Sequence, residues 1–266
     1  MVHTHMKDIG VLRVKYGGGE SGSIRVILLF LVLLCIGLAV LFFHGVDSDI
    51  TADDRTALQS MFNESNYTIS GLSNTGIFED QIVDIRAVQD SILTASPVLK
   101  KIPLKQGREP ADLLQEKHGQ CGDRARAIEK ALGMLGYNAR YASLFSRDKS
   151  FTPPETMAID SGNDLRSHAV VEVETEKGWM IVDTNARWIS LTDSGQPVSL
   201  DELHDRAGSV SYNWDSGNEG EIYWLMRRPF SYIFGLYSRH GLFYPPYTPY
   251  IPDIDYKQFI FDNITD

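Results

Sequence analysis

Apolar positions recur along most of the chain at spacings that set local structure, but one stretch has no period at all. Val26–Phe43 reads VILLFLVLLCIGLAVLFF, eighteen residues without a charge. At about 1.5 Å per residue a helix of this length covers ~27 Å, close to the hydrocarbon thickness of a bilayer. A helix packed in a soluble core keeps a polar face, and this stretch has none. A cleaved signal peptide has a shorter apolar region, about 7–15 residues, and then a small-x-small site. Here HGVDSDI follows, with no such site. The pattern predicts an uncleaved anchor over 24–44, seated in the lipid bilayer through Val26–Phe43, with Cys35 packing among its lipid-facing residues. Lys7, Arg13, Lys15 and Arg25 precede the anchor, and Asp47, Asp49, Asp53 and Asp54 follow it. The positive-inside rule then puts the N-terminus in the cytoplasm and the long C-terminal part outside.

Beyond the anchor the periods change. Residues 1–23 are polar and glycine-rich, and 45–75 are acidic and rich in Ser, Thr and Asn, which reads as a tail and a juxtamembrane linker with a little helix. Ile82, Ile85, Val88 and Ile92 fall at helical spacing, so Glu79–Leu93 is predicted helical. Glu109-Pro110 before ADLLQEK predicts a short helix with proline in its first turn. From Cys121 to Leu135 the apolar residues Ala125, Ile128, Leu132 and Leu135 recur every three or four. Arg124, Arg126, Glu129 and Lys130 are expected to point away from that stripe, and Gly136 to stop the helix. Ala139–Phe145 and Ser167–Glu174 read as strands, with Pro153-Pro154 and Ser161-Gly162-Asn163 marking a loop between them. Lys177-Gly178 predicts a turn that returns Trp179–Asp183 as a hairpin partner. After Tyr223 the chain alternates rings (Tyr232, Tyr237, Phe243, Tyr244, Tyr247, Tyr250) with prolines (229, 245, 246, 249, 252). Prolines forbid a long helix there, and an extended segment draped over the domain is expected. One helix followed by antiparallel strands gives an α+β class.

Composition adds little to the fold and more to the partners. Hydrophobic residues make up 43% and charged residues 23%, which excludes disorder, collagen and a disulfide scaffold for the whole chain. Net charge is −10 with no basic block, so no nucleic-acid partner is expected. With Cys35 in the anchor, the exported part holds one cysteine, Cys121. An unpaired exported cysteine calls for a reason: inert burial, an intermolecular bridge or a reactive thiol.

Cys121 falls just inside a predicted helix start, where free N–H groups and the macrodipole stabilise negative charge. The thiolate is the nucleophilic form. His168 opens a strand beside a loop, and Asp183 ends the returning strand. Counted out from a turn near Lys177, the two lie at similar distances, so the hairpin is expected to set them across from each other. Carboxylate, imidazole and thiol would then act as orienter, base and nucleophile. Gln115 or Gln120 is a candidate for an oxyanion hole beside the Cys121 N–H. Arg187 and Trp188 are candidates for lining the cleft, and Asp123 for capping the helix. A zinc site at His118, Cys121, His168 and Asp183 is disfavoured, because structural zinc sites use tight local pairs and only one cysteine is available. Neither a metal nor another cofactor is expected.

The run GQCGDRARAIEKALGMLGYNAR, followed by SHAVVEV and KGWMIVDTN, resembles the nucleophile helix and catalytic hairpin of the transglutaminase-like superfamily. The resemblance covers about Arg108–Ser190. It implies a papain-like, transglutaminase-like core with Cys121, His168 and Asp183 as catalytic residues, acting on an amide bond of a protein or peptide through a thioester. It departs at Val170, where many members carry Trp, and at Thr184, where proline is common. Together with the anchor, the resemblance also implies a bacterial protein with an envelope or exopolysaccharide role. The expected plan is a cytoplasmic tail (1–23), an anchor in the inner membrane (24–44), a linker (45–75), the core domain in the periplasm (76–222) and an aromatic, proline-rich extension (223–266). The rival reading keeps the fold as a catalytically idle binding module with envelope assembly partners; a redox or cross-linking role for the lone thiol is a third.

Overall fold

The computed structural model describes residues 20–44, 46, 48–102, 107–146, 166–206, 211–237 and 254–264. It divides into two units, 1–44 and 45–266. The first is one helix, α1 (Glu20–His44), whose side chains over 24–39 are all exposed. Among the described residues no helix is long and apolar enough to cross a membrane. The apolar run continues to Phe43, past residue 39, where the described side chains of α1 end.

The second unit holds the α+β core. Its helices are α2 (Ala52–Glu64), α3 (Phe78–Ala95), α4 (Pro110–Glu116), α5 (Cys121–Met134), α6 (Leu200–Asp205) and α7 (Tyr256–Ile264). Strands β1 (Val98–Leu99) and β2 (His118–Gly119) form a small parallel pair. The main sheet is antiparallel, in the order β5 (Gly178–Asp183), β4 (Arg166–Thr175), β3 (Ala139–Ser146), β6 (Phe230–Phe234).

Both faces of this sheet are covered. Tyr141, Val171, Val173, Met180 and Val182 face a cluster built with Leu58, Met61 and Phe62 of α2, Ile85, Val88 and Ile92 of α3, and Ile128 and Leu132 of α5. The alternate positions Leu144, Val170 and Ile181 face a second cluster with Trp188, Leu200, Leu225 and Phe230. The side chains from 168 to 173 are therefore all buried.

Two expectations from the sequence change. The linker region 45–75 contains α2, which is started by a reciprocal cap: Asp54 N donates to Thr51 Oγ1 and Thr51 N to the Asp54 carboxylate. Its Leu58, Met61 and Phe62 are fully buried. The extension after Tyr223 is not merely draped. It supplies β6, which pairs with β3, and α7, which docks where Gly235 (φ 70°) leaves room: a Cβ there would meet Phe259 N at 2.8 Å. The loop at 153–163 and the rings and prolines over 243–252 lie outside the described residues, as does the tail 1–19.

Helix α5 adds a feature that its stripe does not reveal. Arg124, Arg126, Glu129 and Lys130 do not point to solvent; all four are buried. Partners from other segments come to them. Arg126 meets Glu109 at 2.7 Å, and Lys130 meets Asp54 at 2.7 Å and Glu109 at 2.8 Å. Glu129 accepts from the Tyr237 hydroxyl at 2.7 Å and from Gln258 at 2.9 Å. At the C-terminus Gly136 (φ 89°) adopts the left-handed conformation that ends a helix.

If α2 belongs to the core, Leu58→Ala destabilises the protein by about 2–5 kcal/mol. Val83→Ala on the exposed face of α3 changes stability by less than about 0.5 kcal/mol. Urea denaturation of the two variants checks this, and equal, negligible losses would contradict it.

Candidate active site

The site is assembled at the start of α5. Gln120 is the N-cap, and its N–H donates to Asp123 at 2.8 Å. Asp123 also meets Arg108 at 3.1 Å, so it does cap the helix. Burial raises the Asp123 carboxyl, against the Gln120 N–H and the Arg108 charge. Gly119, just before the cap, packs against Leu113; a Cβ would lie 2.5 Å from its Cδ1. Cys121 follows in the first turn, a free thiol and only partly exposed.

His168 and Asp183 are brought together on neighbouring strands, both fully buried. The register differs from a direct pairing. The turn closes at Thr175↔Gly178, which sets Asp183 opposite Val170, while His168 lies opposite Leu144 of β3. The contact is therefore diagonal across the strand pair, and the side chains span it: His168 Nε2 lies 3.1 Å from Asp183 Oδ2. The other ring nitrogen, Nδ1, is buried and makes no hydrogen bond of ordinary geometry. Burial alone would lower the affinity of the ring for a proton. The Asp183 charge and hydrogen bond, with the Cys121 thiol beside them, outweigh burial and raise the imidazole to about 10. Tyr223 stacks on the ring, 4.1 Å between centroids at 26°.

The carboxylate is itself held. Asp183 Oδ1 accepts the N–H groups of Asn185 at 2.7 Å and Ala186 at 2.9 Å. That tight turn is pinned from α3 by Gln89, whose Nε2 donates to the carbonyls of Asp183 (2.8 Å), Trp188 (2.8 Å) and Ala186 (3.1 Å). Gln89 was not singled out from the sequence, although one signal was present: it occupies a core position beside Ile85, Val88 and Ile92. A buried amide at such a position needs partners. Tyr223 gives no comparable signal, since only the fold brings it over His168.

Of the remaining candidates only Gln120 adjoins the start of α5. Gln115 is exposed on α4 with no hydrogen bond to the cluster, and Gln120 is half-buried at the cap. Arg187 turns to α3, donating to Asp90 at 2.5 Å and Thr94 at 3.0 Å. Trp188 is completely buried, edge-on to Trp214 at 5.1 Å in the second cluster, and so does not line an open cleft. Among the described residues no group of three or more His, Cys, Asp or Glu is arranged to hold a metal ion. His118 lies instead 3.5 Å from Glu116. A groove of about 360 Å³ lined by Arg140, Trp179 and Phe261 lies apart from these residues.

Imidazole and carboxylate thus pair on the antiparallel hairpin, and the Cys121 thiol stands at the start of the helix packed against that sheet. Residues 78–184 match the model of the transglutaminase-like superfamily, and the helices and antiparallel sheet of that segment fit a transglutaminase-like core. The match is under half of the chain and begins at α3, earlier than the sequence resemblance did. No curated protein and no solved structure matches the chain.

The His168–Asp183 pair gives a stability signature. A proton held up to about 10, against an ordinary 6.5, adds stability that is complete below about 6.5 and is lost as pH rises through about 10. In Asp183→Asn burial dominates and this gain disappears. Denaturation should find the wild type more stable than the variant by about 3–5 kcal/mol near pH 6, with the gap closing towards pH 10. A gap that does not change with pH would refute the charged imidazole.

Proposed function

We propose that the chain is a membrane-anchored, exported thiol enzyme that cleaves amide bonds of a protein or peptide through a thioester. The observation that carries this reading is the buried His168–Asp183 pair, Nε2 3.1 Å from Oδ2, together with the partly exposed Cys121 thiol at the start of α5. A charged imidazole beside a sulfur at a helix start favours thiolate and imidazolium together. The thiolate attacks the amide carbonyl carbon and forms the C–S bond. His168 gives its proton to the departing amine as the C–N bond breaks. The neutral imidazole then takes a proton from water as it attacks the thioester. The C–S bond breaks, the acid is released, and thiolate and imidazolium return. Asp183 orients the ring throughout. Water needs no second binding pocket, which favours hydrolysis over transfer to an amine.

Two sets of measurements test this reading. Iodoacetamide labelling, read at the Cys121 peptide because Cys35 is also a free thiol, should be fast already at about pH 6. In His168→Ala it should rise only near an ordinary thiol value, about 8.5. With a peptide amide supplied, mass spectrometry should find an acyl adduct on Cys121 that is absent from His168→Ala. A wild-type profile that rises only near pH 8.5 and ignores His168 would defeat the enzyme reading. A Cys121→Ala chain that fully restores a deletion phenotype would favour the idle binding module.

The anchor is α1. Support comes from the uncharged apolar run Val26–Phe43 within it, the exposed side chains over 24–39, and the basic residues before that run against acidic ones after it. The full chain should stay with membranes through alkaline carbonate extraction. Leu34→Arg, which costs about 2.5–3.5 kcal/mol at a helix centre, should release a measurable fraction. Equal release of both would rule out a spanning helix.

A further inference from the structure

Arg124 lies one helical turn beyond Cys121 and is only 3% exposed. Its neighbours on α5 show how this protein treats a buried cation: Arg126 and Lys130 each meet a carboxylate within 2.8 Å. Arg124 does not. Its donors go to neutral acceptors: the Ser96 carbonyl at 2.5 Å, Ser96 Oγ at 3.3 Å, Asn185 Oδ1 at 3.2 Å and the Thr184 carbonyl at 3.5 Å. These bonds orient the guanidinium but supply no counter-charge, and a buried charge without one is costly.

Three groups able to carry negative charge lie near it: the Cys121 thiol, Asp123 and Asp183. Two of them already face cations. Asp123 meets Arg108 at 3.1 Å, and Asp183 meets His168 at 3.1 Å. The sulfur is left, three residues earlier on the same helix, where side chains at i and i+3 are neighbours. The charges agree with this. Arg108, Arg124 and the imidazolium are three cations against the two carboxylates of Asp123 and Asp183. A neutral thiol leaves one positive charge buried, whereas a thiolate balances the cluster. The other titratable groups beside the site are the Tyr223 hydroxyl over the imidazole, and His118 on β2, which faces Glu116 rather than the cluster.

We infer that Arg124 is a positioning residue whose guanidinium, held by Ser96, Thr184 and Asn185, serves as a second counter-ion to the Cys121 thiolate. The inference rests on the thiol-enzyme reading and deepens it: His168 is then not alone in holding the anion. Arg124 also ties the end of α3 and the turn after Asp183 to the helix that carries the sulfur.

The test is labelling of Cys121 by iodoacetamide against pH in the full chain. Removing a neighbouring opposite charge shifts an ionisation by about one unit or more. Arg124→Gln should therefore be labelled roughly tenfold more slowly than wild type near pH 6 and about equally fast near pH 10. Arg124→Lys, which keeps the charge and loses the fork, should stay within about threefold of wild type at both. Should Arg124→Gln fail to fold, Asn185→Asp takes its place: it puts a carboxylate on the guanidinium and should slow labelling near pH 6 in the same way. A folded Arg124→Gln or Asn185→Asp with the wild-type profile overturns the inference and leaves the enzyme reading standing. Equal slowing in Lys and Gln variants assigns Arg124 a purely structural role and overturns it too. A wild-type chain labelled only near pH 8.5 overturns both readings.

Discussion

A charged imidazole in a dry interior is the constraint on which the site depends. Taking an ion out of water costs several kcal/mol even after relaxation, and His168 is completely buried. Only a carboxylate at contact distance offsets that cost, and Asp183 at 3.1 Å supplies it. The carboxylate is buried as well and has its own needs. It takes two N–H donors from Asn185 and Ala186, which requires a tight turn directly after β5. The carbonyls of that turn then need donors, and Gln89 reaches across from α3 to give them. Each requirement hands the next to another element, from strand to turn to helix. The proton on His168 is thus tied to the docking of α3.

Helix α5 obeys the same rule on a larger scale. It carries the sulfur, and it is buried from Gly122 to Leu132 despite its charged side chains. Each charge is met by a group from elsewhere in the chain. Asp54 comes from α2, Glu109 from the start of α4, and Tyr237 and Gln258 from the C-terminal region. These partners lie 76 residues before Lys130 and up to 129 after Glu129. Breaking a buried pair by removing one member typically costs about 3–5 kcal/mol. The segments outside the matched core therefore fix the helix that positions the thiol, and the 78–184 core is not the whole of the structural unit.

Much of this was legible in the sequence because periodicity is local. The spacing of Ile85, Val88 and Ile92, the stripe of Ala125, Ile128 and Leu132, and the turn at Lys177-Gly178 each describe one element and its neighbour. The nearness of His168 and Asp183 followed from the hairpin, although the register, fixed by where the turn closes, made the contact diagonal. What was not legible depends on long-range pairing. Arg126 and Lys130 look like a solvated face until Glu109 and Asp54 arrive from other segments. The strand Phe230–Phe234 sits in a run of rings and prolines, and nothing local says that it pairs with β3. Trp188 follows the hairpin into the second cluster, a destination decided by the loop around Trp214.

The distribution of burial gives the site its direction. His168 and Asp183 are closed to solvent, and the Tyr223 ring lies over the imidazole. Cys121 is the member that remains partly open. Charges in a dry environment interact far more strongly than in water, so in the proposed reading the pair and the guanidinium act on the sulfur with little screening. An incoming carbonyl would meet that field only at the sulfur, where the helix start adds its own partial positive charge. Burying the groups that hold the charge while leaving the residue that would react partly open is the arrangement under which Cys121, one of two free cysteines, has a reason other than packing to be there.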